Sequence, residues 1–210
     1  MLTQSISKNS LILTAFALVT AGILAVTYQA TAERIAEEER KAAQAALLEI
    51  VPATRHDNDM LSQTFSIPQN LLTELGLKNN ANIHLAYNNG EPVAAIVPAL
   101  APDGYSGDIK LIIGINADGS LAGVRVLTHK ETPGLGEKID LRKSDWILGF
   151  NGKSLTNPNI EQWAVKKDGG HFDLFTGATI TPRAVVQRVK QTLQFYSTHQ
   201  ALIFEKSTQP

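Results

Sequence analysis

At 210 residues, with 43 % hydrophobic residues and a net charge of −1, the chain is long enough to bury a sizeable core and is neither disordered nor fibrous in composition. Nineteen basic residues stand against twenty acidic ones, and no run interleaves Lys or Arg with aromatics, which argues against nucleic acid as a partner. There is no cysteine, so disulfides, cysteinyl iron–sulfur ligation, thiolate catalysis and a lipidated N-terminal Cys are excluded; redox chemistry here needs a bound organic cofactor.

Residues 1–10 read as a short tail. From Leu11 to Tyr28 the chain carries no charge, and about 18 such residues at roughly 1.5 Å each give about 27 Å of helix, close to the hydrocarbon thickness of a bilayer. A transmembrane anchor is expected over residues 11–30. The competing reading is a cleaved signal peptide, with Lys8 as the charged flank and Ala30-Thr31-Ala32 as the small-x-small pattern; the length of the apolar run and the sequence after it favour the anchor. Ala32 to Ile50 is rich in Ala, Glu, Arg, Lys and Leu and lacks Gly and Pro. A membrane-proximal segment over 31–55 is therefore expected to continue as helix until Val51-Pro52 stops it. The Glu37-Glu38-Glu39 run reads as a solvated helix face. Arg34, Arg40 and Lys41 follow the span while Lys8 precedes it, so basic residues alone would leave the globular part in the cytoplasm.

The remaining residues, 56–210, read as one α+β domain. A short helix is expected from Gln69 to Leu75, ending at Gly76. Two hairpins follow: His84 to Tyr87 and Pro92 to Val97 flank Asn88-Asn89-Gly90, and Ile109 to Ile115 and Leu121 to Leu127 flank Asn116-Ala117-Asp118-Gly119. Pro98, Pro102 and Gly104 mark a loop between them, and Thr132 to Gly136 marks another. Leu141 to Leu148 suggests a short helix. Asn151 to Gly170 is polar, with Trp163 its one obvious core candidate. The clearest helix comes last, with Thr181 as N-cap, Pro182 at the first helical position, and Val185, Val186, Val189, Leu193 and Tyr196 as its apolar stripe.

Thr179 ends a small-residue loop a few positions before that helix. A phosphate on its hydroxyl would sit near unpaired backbone N–H groups and the positive end of the helix dipole, and Gly177 and Ala178 leave room for it. Taken alone, Thr-Gly-Ala-Thr-Ile-Thr-Pro reads first as a turn followed by a helix cap. The five histidines, at 56, 84, 129, 171 and 199, include no i, i+4 pair, and a metal site is not expected. Neither a Gly-x-Ser-x-Gly elbow, a Walker loop nor a Gly-x-Gly-x-x-Gly turn is present, so hydrolase, NTPase and Rossmann readings lack support.

Asp173-Leu174-Phe175-Thr176-Gly177-Ala178-Thr179 resembles the Asp-x-x-Ser/Thr-Gly-Ala-Thr signal by which a flavin transferase attaches FMN, through its phosphate, to the final threonine. Gly104-Tyr105-Ser106-Gly107, the strands that follow it, and His129-Lys130-Glu131-Thr132-Pro133-Gly134-Leu135-Gly136 resemble the other hallmark of the FMN-binding domain shared by the RnfG component of the Rnf electron-transport complex and its counterpart in the sodium-pumping NADH:quinone oxidoreductase. With the N-terminal span, the likeness extends over nearly the whole chain, and the short length favours the Rnf component. The resemblance implies an antiparallel-sheet domain with flanking helices on a single transmembrane helix, and FMN held covalently on Thr179. Asp173 would serve the modification, with Thr176, Gly177 and Ala178 completing the signal. Glu131 and Thr132 would hydrogen-bond the ring or its ribityl chain, and Gly134, Leu135 and Gly136 would let backbone approach the ring.

The same resemblance implies electron transfer within an ion-translocating complex of the bacterial inner membrane, with the domain in the periplasm, other subunits as partners, and a flavin transferase during maturation. The chain would supply position and environment, and no catalytic side chain of its own. The alternatives are the corresponding component of the sodium-pumping quinone reductase and a membrane-tethered flavin-binding module or scaffold without a redox role.

Overall fold

The structure, a computed structural model, describes residues 2–205. The side chain of Glu39, the last of the acidic run, lies outside the described set. The chain divides into two units, Met1–Ala43 and Gln44–Pro210.

The first unit is helical. Its described residues belong to α1 (Leu2–Ile50), whose stretch Asn9–Ile35 is long and apolar enough to cross a membrane. At 27 residues that stretch would extend about 40 Å, and none of its central window is buried by the protein. Glu37 and Glu38 each lie 3.1 Å from Lys41, as i, i+4 and i, i+3 neighbours on one solvated face.

The second unit is an antiparallel five-stranded sheet in the order β1-β2-β3-β4-β5, covered on both faces: β1 (Thr64–Ser66), β2 (Asn82–Asn88), β3 (Glu91–Gly104), β4 (Gly107–Asn116) and β5 (Leu121–Thr128). Period-two alternation separates the faces. Ala95, Val97, Ala99, Ile109, Leu111, Ile113 and Ile115 point into the main core, which α2 (Ile180–Glu205) closes with Val185, Val186, Val189, Leu193 and Tyr196. Ala94, Ile96 and Ile112 face the other way, against Leu47, Ile50 and Val51 at the end of α1. The expected helix end before Val51-Pro52 is found, and its last turn is part of the domain core.

Both hairpins form. Asn89 and Gly90 have φ of 52° and 81°, the paired left-handed values of a tight hairpin turn. The expected loop at Pro98 to Gly104 is instead strand: β3 runs through Pro98, which pairs with Ile112, and bends by a register shift between Ala101 and Gly104. Proline fits there because the pairing with β2 reaches along β3 only as far as Ile96, opposite His84, leaving the rest of β3 with a ladder on one side only. Strand β1 is an element that the sequence pattern did not mark. The helical turn at Gln69 to Leu75 is a 3-10 turn over Leu72–Leu75, closed by Gly76 as expected. The one expected at Leu141 to Leu148 is replaced by 3-10 turns at Gly136–Ile139 and Asp145–Phe150, the latter capped by Ser144, whose Oγ accepts from the Trp146 N–H. Trp163 is core, as expected, and Val165 joins it.

Candidate functional site

Helix α2 begins at Ile180, one residue after Thr179. Thr181 is therefore not its N-cap: it is fully buried, and its hydroxyl donates to Glu131. Pro182 lies within the first turn rather than at its first position, where its missing N–H still leaves no gap in the helix ladder. The residue that opens onto the helix start is Thr179 itself, so the unpaired N–H groups and the positive end of a 26-residue helix adjoin its hydroxyl.

The loop before it is fixed by aromatic packing. Phe172 and Phe175 are buried, Phe175 lies 5.1 Å from Trp146 between ring centroids, and Trp146 Nε1 donates to the carbonyl of Asp173 at 3.0 Å. Phe175 to Ala178 then forms a tight turn, with the Ala178 N–H donating to the Phe175 carbonyl at 3.1 Å. Gly177 takes φ 80° within it, a conformation costly for any side chain.

This turn and the Glu131 to Gly136 loop, distant in sequence, face each other across a cleft of about 370 Å³. It is lined by Glu131, Thr132, Leu135 and Gly136 on one side and by Gly177, Ala178, Thr179, Ile180 and Thr181 on the other, with Tyr105 from the β3–β4 turn at its edge. Tyr105, Leu135 and Ile180 are exposed large hydrophobic residues, 68 %, 40 % and 47 % accessible. An apolar rim around a polar, hydroxyl-bearing floor is what a flat, amphipathic ligand needs.

Glu131 sits deep in the wall, 4 % exposed. Its Oε1 accepts from the Ser106 N–H at 2.9 Å and its Oε2 from the Thr181 hydroxyl, so it ties the β3–β4 turn to the start of α2. Gly104 and Gly136 make room for this: a Cβ on either would approach a Glu131 carboxylate oxygen to 2.9 Å.

Of the residues singled out from the sequence, Thr179, Gly177, Ala178, Glu131, Thr132, Leu135 and Gly136 meet at the cleft, while Asp173, Thr176 and Gly134 do not line it. Asp173 is exposed and pairs with Lys166 at 2.5 Å. Thr176 occupies the exposed turn. Gly134 donates its N–H to Glu137 at 2.7 Å, which helps hold the Glu137 carboxyl below its usual range. Tyr105, Ile180 and Thr181 are lining residues that the sequence reading left out of the site. Tyr105 carried a signal, since it falls in the Gly-Tyr-Ser-Gly stretch; Ile180 and Thr181 read only as helix start.

Comparison with known proteins agrees with this arrangement. Residues 104–194, from the β3–β4 turn into α2, match the family model described as FMN-binding domain, and residues 1–50 match the one described as RnfG N-terminal region. The G subunit of the ion-translocating oxidoreductase complex from Pseudoalteromonas atlantica is 50 % identical over 206 residues, 98 % of this chain and 95 % of its own length. The chain belongs to the RnfG family of ion-translocating oxidoreductase complexes. Proteins of the same description from Vibrio cholerae (50 % identical, covering 93 % of this chain and 92 % of their own) and Shewanella oneidensis (47 %, covering 95 % and 93 %) extend the match. The expected α+β class holds, and so does FMN as the cofactor type: the domain that carries the cleft is an FMN-binding domain.

Proposed function

We propose that this chain is the flavin-carrying, electron-transferring component of a membrane-bound, ion-translocating oxidoreductase, with FMN joined through its phosphate to the Thr179 hydroxyl. The observation that carries the reading is the position of that hydroxyl, at the start of α2 and on the wall of a cleft in the FMN-binding domain. The helix start favours the phosphate there, and the compact turn at Gly177-Ala178 leaves it space. Glu131 and Thr132 would offer polar groups to the ribityl chain or ring, and Leu135 an apolar face beside the side-chain-free Gly136; Gly134 supports that segment from outside the cleft. Bound flavin supplies one- and two-electron transfer. The chain's own residues position it, leave an edge open to partners at the apolar rim, and set its electrostatic surroundings.

Asp173, Thr176, Gly177 and Ala178 match the attachment signal, and the exposure of Asp173 and Thr176 supports their reading by a flavin transferase as an accessible surface feature. The apolar stretch of α1 supports residues 11–30 as a single-pass anchor in the bacterial inner membrane, followed by the membrane-proximal segment 31–55 and the FMN-binding domain 56–210; placing the domain in the periplasm, with other subunits around it, follows the family resemblance.

The test is co-expression with and without a flavin transferase, followed by a denaturing gel under ultraviolet light. Fluorescence that survives denaturation, follows the transferase, and is lost in Thr179→Ala is the expected result. No fluorescence and no FMN mass increment in the co-expressed chain would overturn the covalent attachment.

A further inference from the structure

Glu131 is a buried carboxylate whose hydrogen-bond partners carry no charge. Ser106 donates a backbone N–H and Thr181 a hydroxyl, and among the described residues no Lys, Arg or His lies within 4.0 Å of its carboxylate. Two basic side chains of the segment that follows are engaged elsewhere: Lys143 lies 3.2 Å from Glu137, and Arg142 lies 2.5 Å from Asp140. Holding an ion away from water without a counterion is costly, and the cost is offset here only by neutral donors. The frame does not call for that charge. A glutamine of the same shape would accept from Ser106 and donate to Thr181, tying the same two elements together.

The charge has its effect in the cleft. Reducing a flavin by two electrons with uptake of one proton leaves one net negative charge on the ring system, and a fixed negative charge in a wall shielded from water opposes that state. We propose that the Glu131 carboxylate, held without a counterion in the cleft wall by Ser106 and Thr181, lowers the reduction potential of the bound flavin. The inference rests on FMN occupying this cleft. Thr181 and Ser106 act through Glu131 as positioning residues, holding its two oxygens in the wall.

The test uses the full chain, purified in detergent after co-expression with the transferase, and a spectroscopic redox titration with dithionite and mediator dyes. Covalent loading is read first by in-gel fluorescence. If the unaltered chain carries no flavin, the reading of the cleft has failed, and the inference falls with it. With loading established, Glu131→Gln should raise the ratio of reduced to oxidised flavin at a fixed potential by on the order of tenfold, the size of one unit charge several ångström away. Glu131→Asp, which keeps the charge, should stay near the unaltered chain. A loaded glutamine variant within twofold of the unaltered chain overturns the proposal, and so does an aspartate variant shifted as far as the glutamine one. Thr132→Glu adds a second carboxylate to the same wall without touching the Glu131 hydrogen bonds, and decides the matter should Glu131→Gln not fold. It should lower the ratio by a similar factor, and an unchanged ratio would show that a carboxylate in this wall does not act on the ring.

Discussion

Gly136 has no side chain because nothing larger fits between Glu131 and Thr181. A Cβ there would come within 2.8 Å of the Thr181 hydroxyl and 2.9 Å of a Glu131 oxygen, so Gly136→Ala must push the loop away from the start of α2. Overpacking of this kind costs about 1–3 kcal/mol. Urea unfolding followed by tryptophan fluorescence should show that loss, and covalent flavin loading should fall with it. Gly134→Ala should cost stability through its φ of 75° but do less to the cleft, since that residue lies outside it. At this scale the sequence marked most of the residues that meet, because family motifs name residue types in order. It did not separate those that line the cleft from Asp173, Thr176 and Gly134, because facing inward or outward depends on how a loop is pinned.

The pin is Trp146. Its indole packs against Phe150 and Phe175, at centroid distances of 5.3 and 5.1 Å, and its N–H reaches the Asp173 carbonyl. Trp146→Phe keeps most of the packing and removes the hydrogen bond. It should cost about 1 kcal/mol and speed amide hydrogen exchange across residues 173–178 ahead of the sheet. Phe175→Ala should cost about 3–5 kcal/mol and abolish flavin loading, since the turn that presents Thr179 would lose its anchor in the core. Neither dependence was legible in the sequence, where Leu141 to Leu148 read as a helix of its own and Phe175 as part of a signal. The start of α2 was misplaced for a related reason. Thr181 has the residue type of an N-cap, but a buried carboxylate from another loop binds its hydroxyl, and the helix extends back to Ile180. Pro98 and Pro102 read as loop for want of knowing that the pairing with β2 stops short of them. Strand β1, three residues long, carries too few positions to show alternation, and its pairing with β2 decides it.

For the whole molecule, acid is the expected route to loss of the fold. The Arg142 guanidinium holds the Asp140 carboxyl below the usual aspartate range, the Ser120 hydroxyl and N–H lower that of Asp118, and the Arg183 fork lowers that of Asp168. A depressed carboxylate gives stability that is fully present above the unfolded value and is lost as pH falls through the folded one. Stability should therefore hold down to about pH 4, near the value of an unperturbed aspartate, and decline below it. The intrinsic fluorescence of Trp146 and Trp163 would follow the decline, and Asp140→Asn should flatten its upper part. Topology is a second property of the whole chain. A reporter active only in the periplasm and fused after Pro210 should be active; activity only of a cytoplasmic reporter would reverse the proposed orientation and agree instead with the basic residues that follow the span.

The apolar span, the two hairpins, the apolar stripe of the last helix and the family signals can all be read locally, because each is written in near neighbours, in spacing of two or 3.6 residues, or in a short motif. Long-range packing is what closes the Glu131 loop and the Thr179 turn on one cleft, brings Tyr105 to its edge, and holds Glu131 between Ser106 and Thr181. Those relations join positions 25 and 50 residues apart. They exist because strand pairing and aromatic packing bring distant loops together, and the sequence carries no local periodicity that records such meetings.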